Sequence, residues 1–181
     1  MRNLNELSRE IYEANKAKGF WDKERNYGEM LMLAISELGE AIEAHRKGRF
    51  SHIDEVVDGH EFTPLFSSLV KDTFEDEIAD TFIRLLDMCG SAIQEGNDLH
   101  GAVLVNISTA AEGFNDTVNV GEALLMITTR VCECNYFRNR IAYPIAQIIA
   151  FCDLFKIDLD AHVTAKIRYN STRPRLHGKK Y

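Results

Sequence analysis

Two runs in the chain carry acids three residues apart, Glu37 with Glu40 and Glu77 with Asp80. On an α-helix, neighbours at this spacing lie only about 60° apart around the axis, so each pair aims both carboxylates at one point. Two pairs brought face to face would make a pocket of four acids. Four ionised carboxylates do not share such a pocket without counter-charge, because desolvation and mutual repulsion both oppose it. A divalent cation is the simplest remedy, and an all-oxygen ligand set favours Mg²⁺, or Mn²⁺ in its place, over zinc or copper. These ions keep open positions for phosphate oxygens, which points to phosphate chemistry. The plainer alternative is that each pair is a solvated helix flank or a partner for Lys and Arg, since acidic pairs at this spacing are common.

The segments that hold these acids read as long amphipathic helices. One begins near Tyr27 and ends at Gly48, and it is apolar on two adjoining faces. Leu31, Ile35, Leu38 and Ile42 form the first face, and Met30, Leu33, Ala41 and Ala44 the second. Glu37 and Glu40 fall in or beside the second face, while Ser36, Glu43 and Arg46 take the solvent side. The next begins near Asp72 or Thr73 and ends by Gly96, with Phe74, Ile78, Phe82, Leu85 and Cys89 as its core stripe. Before them, a helix from Leu4 to Lys18 opens on Asn3, with Glu6 three residues later, and stops at Gly19. Residues 48–71 lack sustained periodicity and read as a loop or short helix, either a lid or an insertion. Further helices are predicted over Leu99 to Phe114, Val120 to Tyr136, Pro144 to Phe155 and Leu159 to Asn170, with the final dozen residues as a tail. Leu33 to Ser36 with Glu40 is echoed by Val105 to Ser108 with Glu112, which would make a duplicated helical hairpin if it is more than chance.

The fold class is therefore all-α, a helical bundle. A chain of 181 residues with 45% hydrophobic and 27% charged content suits one soluble globular domain with a packed core. Its organisation is a single helical domain over 1–181, with a loop insertion at about 48–71, extra helices at about 97–143 and a basic tail at about 171–181. The longest apolar run, Met30 to Ile35, is far short of the ~20 residues that span a bilayer. The opening residues lack the apolar stretch of a secretory signal, so a cytoplasmic location is expected. Cys89, Cys132, Cys134 and Cys152 lack the spacing of a disulfide scaffold and read as free thiols. The net charge of −7 hides an asymmetry, for residues 166–181 hold six Lys/Arg and no acid. An acidic body repels nucleic acid, whereas a short basic tail suits one polyphosphate.

With those residues in view, the chain resembles a known family. The run Leu33 to Ala44 containing Glu37 and Glu40, followed by Asp76-Glu77-Ile78-Ala79-Asp80, is similar to the E-x-x-E and E-x-x-D signature of MazG-like nucleotide pyrophosphohydrolases. These belong to an all-α superfamily that includes dimeric dUTPases. The segment Lys16 to Asp22, with Lys18 and Trp21, also resembles a MazG-like subgroup. So does the closing stretch, which contains Lys166, Asn170, Arg173, His177, Lys179 and Lys180. The resemblance implies a helical bundle, a homodimer or higher homo-oligomer, that hydrolyses a nucleoside or deoxynucleoside triphosphate to the monophosphate and pyrophosphate with Mg²⁺, with nucleotide-pool sanitation as one role open to it. Carried over by position, Glu37, Glu40, Glu77 and Asp80 are the catalytic metal ligands, one of which orients or deprotonates the attacking water instead. The 36 residues between Glu40 and Glu77, and roughly 50 after the third helix, depart from the family's spacing.

Lys166 and Arg173, with Lys179 and Lys180, are cationic clamps for the polyphosphate on this reading. Trp21 is placed either to stack on a base or to staple the first helix to the core, and Asn170 either to read a base or to cap a helix. The six histidines share no ligand spacing and read as surface or loop residues, His177 alone having a phosphate contact open to it. A di-iron bundle would need E-x-x-H on two helices, and the chain has none; it also lacks a His-Asp dipeptide and a P-loop. The alternative function is a non-enzymatic helical interaction or nucleotide-sensing module with a degenerate site.

Overall fold

The computed structural model describes residues 2–94, 96, 114–115 and 117–178, and among these it is all-helical. Seven α-helices follow in order: α1 (Leu4–Ala17), α2 (Tyr27–Arg46), α3 (Phe62–Leu69), α4 (Phe74–Gln94), α5 (Val120–Glu133), α6 (Ala142–Phe155) and α7 (Leu159–Thr172). Short 3₁₀ turns occupy Ile53–Glu55, Arg138–Arg140 and Arg175–Gly178. No helix among the described residues is long and apolar enough to cross a membrane. The predicted helix over Leu99 to Phe114 and the internal echo at Val105 to Glu112 lie largely or wholly outside the described residues, as do Lys179 and Lys180.

Local chemistry sets the helix starts. Asn3 accepts from the backbone N–H groups of Asn5 and Glu6, Asn26 from Glu29, Asn119 from Glu122 and Asp158 from Ala161. Each satisfies a donor that the first turn leaves without an intrahelical partner. Pro144 sits in the first turn of α6, where a missing N–H is tolerated.

The centre of the bundle is α4, which packs on α1, α2, α6 and α7. Its Ile78, Phe82, Leu85 and Cys89 have no exposed surface, and burial of side chains of this size contributes about 1.5–3 kcal/mol each. That apolar anchoring is what allows the same helix to carry Asp76, Glu77 and Asp87 almost out of solvent. Contact with α1 depends on Gly90, where an added Cβ would lie 2.3 Å from the Ser8 carbonyl oxygen and 2.6 Å from Tyr12 Cβ. Gly90→Ala is therefore expected to destabilise the fold by about 1–3 kcal/mol, read as a fall in the urea midpoint at unchanged m-value. An unchanged midpoint would mean that α1 does not dock this closely.

The segment 48–71 is packed into the body. Its α3 places Phe62, Phe66 and Val70 in a small second core, with Ile53, Val56, Ala165 and Tyr169 against it. The Phe66 and Tyr169 rings stack at 4.6 Å, so this segment braces α7 and the lid reading is dropped. The end of the chain is likewise tied down as far as Gly178, where a free tail was expected. Leu176 N–H donates to the Lys18 carbonyl at 2.9 Å, and Gly19, at φ +87°, leaves no room for a Cβ beneath the Arg175 guanidinium.

Candidate metal centre

Three carboxylates converge between α2 and α4. One oxygen each from Glu37, Glu40 and Glu77 lies within 4.8 Å of the others. Glu37 and Glu77 are buried, and Glu40 stands at the exposed rim. Their placement follows from the helix wheel: α2 buries Ala34, Leu38 and Ala41 against the bundle, which carries Glu37 inward with them. Glu77 is carried in by the burial of its neighbours Ile78 and Ala79.

The two buried acids of this group are held differently. Arg84, two turns beyond Glu77 on α4, gives Nε and Nη2 to the same Glu37 oxygen at 2.7 and 2.5 Å. Among the described residues Glu77 has no such ion pair, and Lys166 acts on it only through space. Burial first, then the charge of Asp80 and a hydrogen bond to Glu37, push its carboxyl from the ordinary 4.5 up to about 9. At neutral pH it keeps its proton and shares it with Glu37. An acid held in this state is where a cation would displace a proton.

Asp80, expected as the fourth ligand, lies outside the converging group. Its Oδ2 is 2.8 Å from the Lys166 ammonium, which also donates to Asp76 Oδ2 at 2.7 Å. Lys166 is itself buried, so it serves as an internal counter-ion for two acids of α4 and does not reach out to clamp a polyphosphate. Burial alone would lower its pKa, but Asp80 and Asp76 together raise it. Asp76 is pushed up to about 6 by burial, against the pull of Lys166. Asp72, Asp76 and Glu77 form a second group of close carboxylate oxygens, but ammonium groups already stand there, Lys166 on Asp76 and Lys71 on Asp72 at 2.5 Å.

Two further expected substrate contacts are internal. Lys18 donates to the carbonyl oxygens of Ser171 and Arg173 at 2.8 and 2.5 Å, closing the C-terminal end of α7. Trp21 staples the turn after α1 to the core. Its indole N–H donates to Asp87 at 3.0 Å, and its ring lies 5.3 Å from Tyr12. By contrast, Asn170 and Arg173 do line a cleft that runs from Asp80 along α4 and also includes Arg84 and His177. Arg173 donates to Asn170 Oδ1 at 3.4 Å and to the His177 carbonyl at 3.2 Å. Not all histidines lie at the surface. His162 is buried with Nδ1 2.7 Å from the Asp158 carbonyl, and His45 packs against Phe50 and Phe74. The four cysteines are free thiols, with Cys132 alone exposed.

Sequence reading missed Asp76, Arg84 and Asp87. Arg84 follows Asp80 by four residues and Asp76 precedes it by four, so one-face spacing on α4 was the available signal. Asp87, a single acid in a run of apolar residues, carried no pairing signal. Compared with family models, with curated proteins and with solved structures, the chain shows no match to any of them.

Proposed function

We propose that the protein is a Mg²⁺-dependent nucleoside triphosphate pyrophosphohydrolase of MazG-like type, releasing pyrophosphate and a nucleoside monophosphate. The observation that carries this reading is the convergence of Glu37, Glu40 and Glu77 within 4.8 Å between α2 and α4. The donor set suits a hard divalent ion, since every close donor is a carboxylate oxygen and the rim position of Glu40 leaves the group open to solvent. Those three residues would hold the ion, with Asp80 beside them at the mouth of the cleft. A bound divalent cation supplies Lewis-acid charge at phosphate oxygens and makes water a stronger nucleophile.

The remaining work falls to the chain itself. Arg84 holds the Glu37 carboxylate in place through Oε1. Arg173, half-buried on the cleft wall, offers its guanidinium to a phosphate, and Asn170 beside it offers both a donor and an acceptor. The Glu37–Glu77 pair holds a proton that must leave when charge is neutralised from outside. The homo-oligomer reading has one supporting feature, an apolar groove on α2 and the end of α5 where Met32 and Tyr136 are exposed.

The test is pyrophosphate release from a panel of ribo- and deoxynucleoside triphosphates with Mg²⁺, Mn²⁺ or EDTA. Cation-dependent release with at least one substrate supports the reading, and no release from any substrate with either ion overturns it. Glu40→Gln should reduce turnover about 10²-fold without altering the helical circular dichroism, because the residue is exposed and only its charge is removed. Activity equal to wild type would exclude Glu40 from the centre.

A further inference from the structure

A second acid of α4 lines the cleft that Asp80 lines. Asp87 follows Asp80 by seven residues, which sets the two about 10 Å apart along the axis at ~1.5 Å per residue, and both line the cleft. That separation is of the order of a sugar and part of a base. The cleft offers about 90 Å³, room for roughly six to nine waters at ~10–15 Å³ each. Such a space admits a planar heterocycle, with its phosphates outside toward Asp80.

The manner in which Asp87 is held points to a ligand. It is 5% exposed, and the neutral Trp21 indole N–H donates to it at 3.0 Å, with Asn15 beside it in the cleft lining. Arg25 and Arg84 act on it only through space, and Arg84 is engaged with Glu37. A tryptophan staple needs only a neutral acceptor. A carboxylate in that place is a costlier choice, because a buried charge is tolerated only with strong hydrogen bonding. Trp21 takes Oδ1, and Asp87 lines the cleft beside Asn15 and Arg25.

We propose that Asp87 is the residue that selects the base, accepting a hydrogen bond from an exocyclic amino group, so that the cleft takes adenine, cytosine or guanine nucleotides in preference to uracil and thymine nucleotides. This rests on the phosphohydrolase reading for the choice of nucleotides as ligands. Asp and Glu accept from the cytosine amino group wherever that base is read by a carboxylate. Uracil and thymine present a carbonyl where cytosine carries its amino group, so two acceptors would face each other whenever Asp87 is ionised. A buried acceptor left unpaired discriminates strongly against the analogue that lacks the donor.

Trp21 is the sole tryptophan and is bonded to Asp87, so the protein carries its own reporter. Titration of the intact chain in EDTA with nucleoside monophosphates should quench or shift Trp21 fluorescence. Half-saturation is expected about 10- to 100-fold lower for at least one of CMP, AMP and GMP than for UMP and TMP. Asp87→Asn keeps a carbonyl for Trp21 and replaces the other oxygen with a donor. It should remove or invert that order, in binding and in relative kcat/KM across the triphosphates, whereas a merely structural Asp87 would weaken all bases alike. Equal response of the wild type to UMP and to the amino-bearing nucleotides, or no response to any, overturns the proposal without recourse to a variant. Base-ordered binding with no hydrolysis would overturn the enzyme reading and leave the base subsite standing. Hydrolysis whose base preference is unchanged in Asp87→Asn would do the reverse.

Discussion

Replacing Glu77 with glutamine is expected to reduce turnover by about 10³-fold or more while making the cation-free protein more stable at mildly alkaline pH. Both effects follow from one carboxyl. Glu77 is buried beside Glu37 and Asp80, and its proton is retained well above the ordinary carboxylate range. Glutamine matches the protonated acid in shape and cannot supply ligand charge. The sign of the stability change follows from proton linkage. The unfolded chain loses this proton near 4.5 and the folded chain near 9, so between those values the native state holds more protons. Stability contributed by the carboxyl is full below 4.5 and is lost progressively as the pH rises through about 9. Asp76 and Asp87, raised to about 6 and about 7 by burial, give slopes of the same sign at lower pH. The part due to Glu77 therefore separates out between about pH 7 and pH 8, below the range where burial of the Cys89, Cys134 and Cys152 thiols adds a slope of the same sign. Thermal melts in EDTA should fall across that interval for the wild type and stay nearly level for Glu77→Gln, and Mg²⁺ should lift only the wild type substantially. Parallel slopes for the two proteins would show that Glu77 is ionised without a cation, and the argument for a metal centre would lose its basis.

The fold was readable where short-range rules decide it. Asn3, Asn26, Asn119 and Asp158 announce helix starts by residue type alone, and the stripe from Phe74 to Cys89 announces which face of α4 is buried. The eight-residue α3 was readable only as a loop or short helix, because two phenylalanines four apart around Pro64 are too few to show a period. Its contacts with α7 depend on Tyr169 and Ala165, a hundred residues further on. The same boundary between near and far runs through the site. Spacing put Glu37, Glu40 and Glu77 on facing surfaces, as found. It said nothing of which cation would arrive from elsewhere in the chain, and Lys166 from α7 takes Asp80. Lys18 was read as a group free to meet a ligand and Trp21 as either a base-stacking group or a staple, and each has a specific partner in a distant segment.

That distant lysine yields the largest stability effect expected in the protein. Lys166→Met removes the ammonium from between Asp76 and Asp80 and leaves a fully buried acid without its cation. Breaking one side of a buried pair destabilises by about 3–5 kcal/mol, although the intact pair adds little over a well-packed apolar replacement. Removing both sides should therefore cost less than removing one. Asp76→Asn added to Lys166→Met is expected to recover part of the loss, since an amide in that place needs no counter-ion and can still accept from the Asp72 N–H. Denaturant midpoints of the two single variants and the double variant complete the cycle. Loss of Lys166 also frees Asp80, which stands next to Glu77 and repels it. An added divalent cation should then find a fourth carboxylate, and Mg²⁺ should raise the melting temperature of Lys166→Met by more than it raises that of the wild type. If Mg²⁺ stabilises both proteins equally, Asp80 has no part in binding the ion even when released, and the centre consists of Glu37, Glu40 and Glu77 alone.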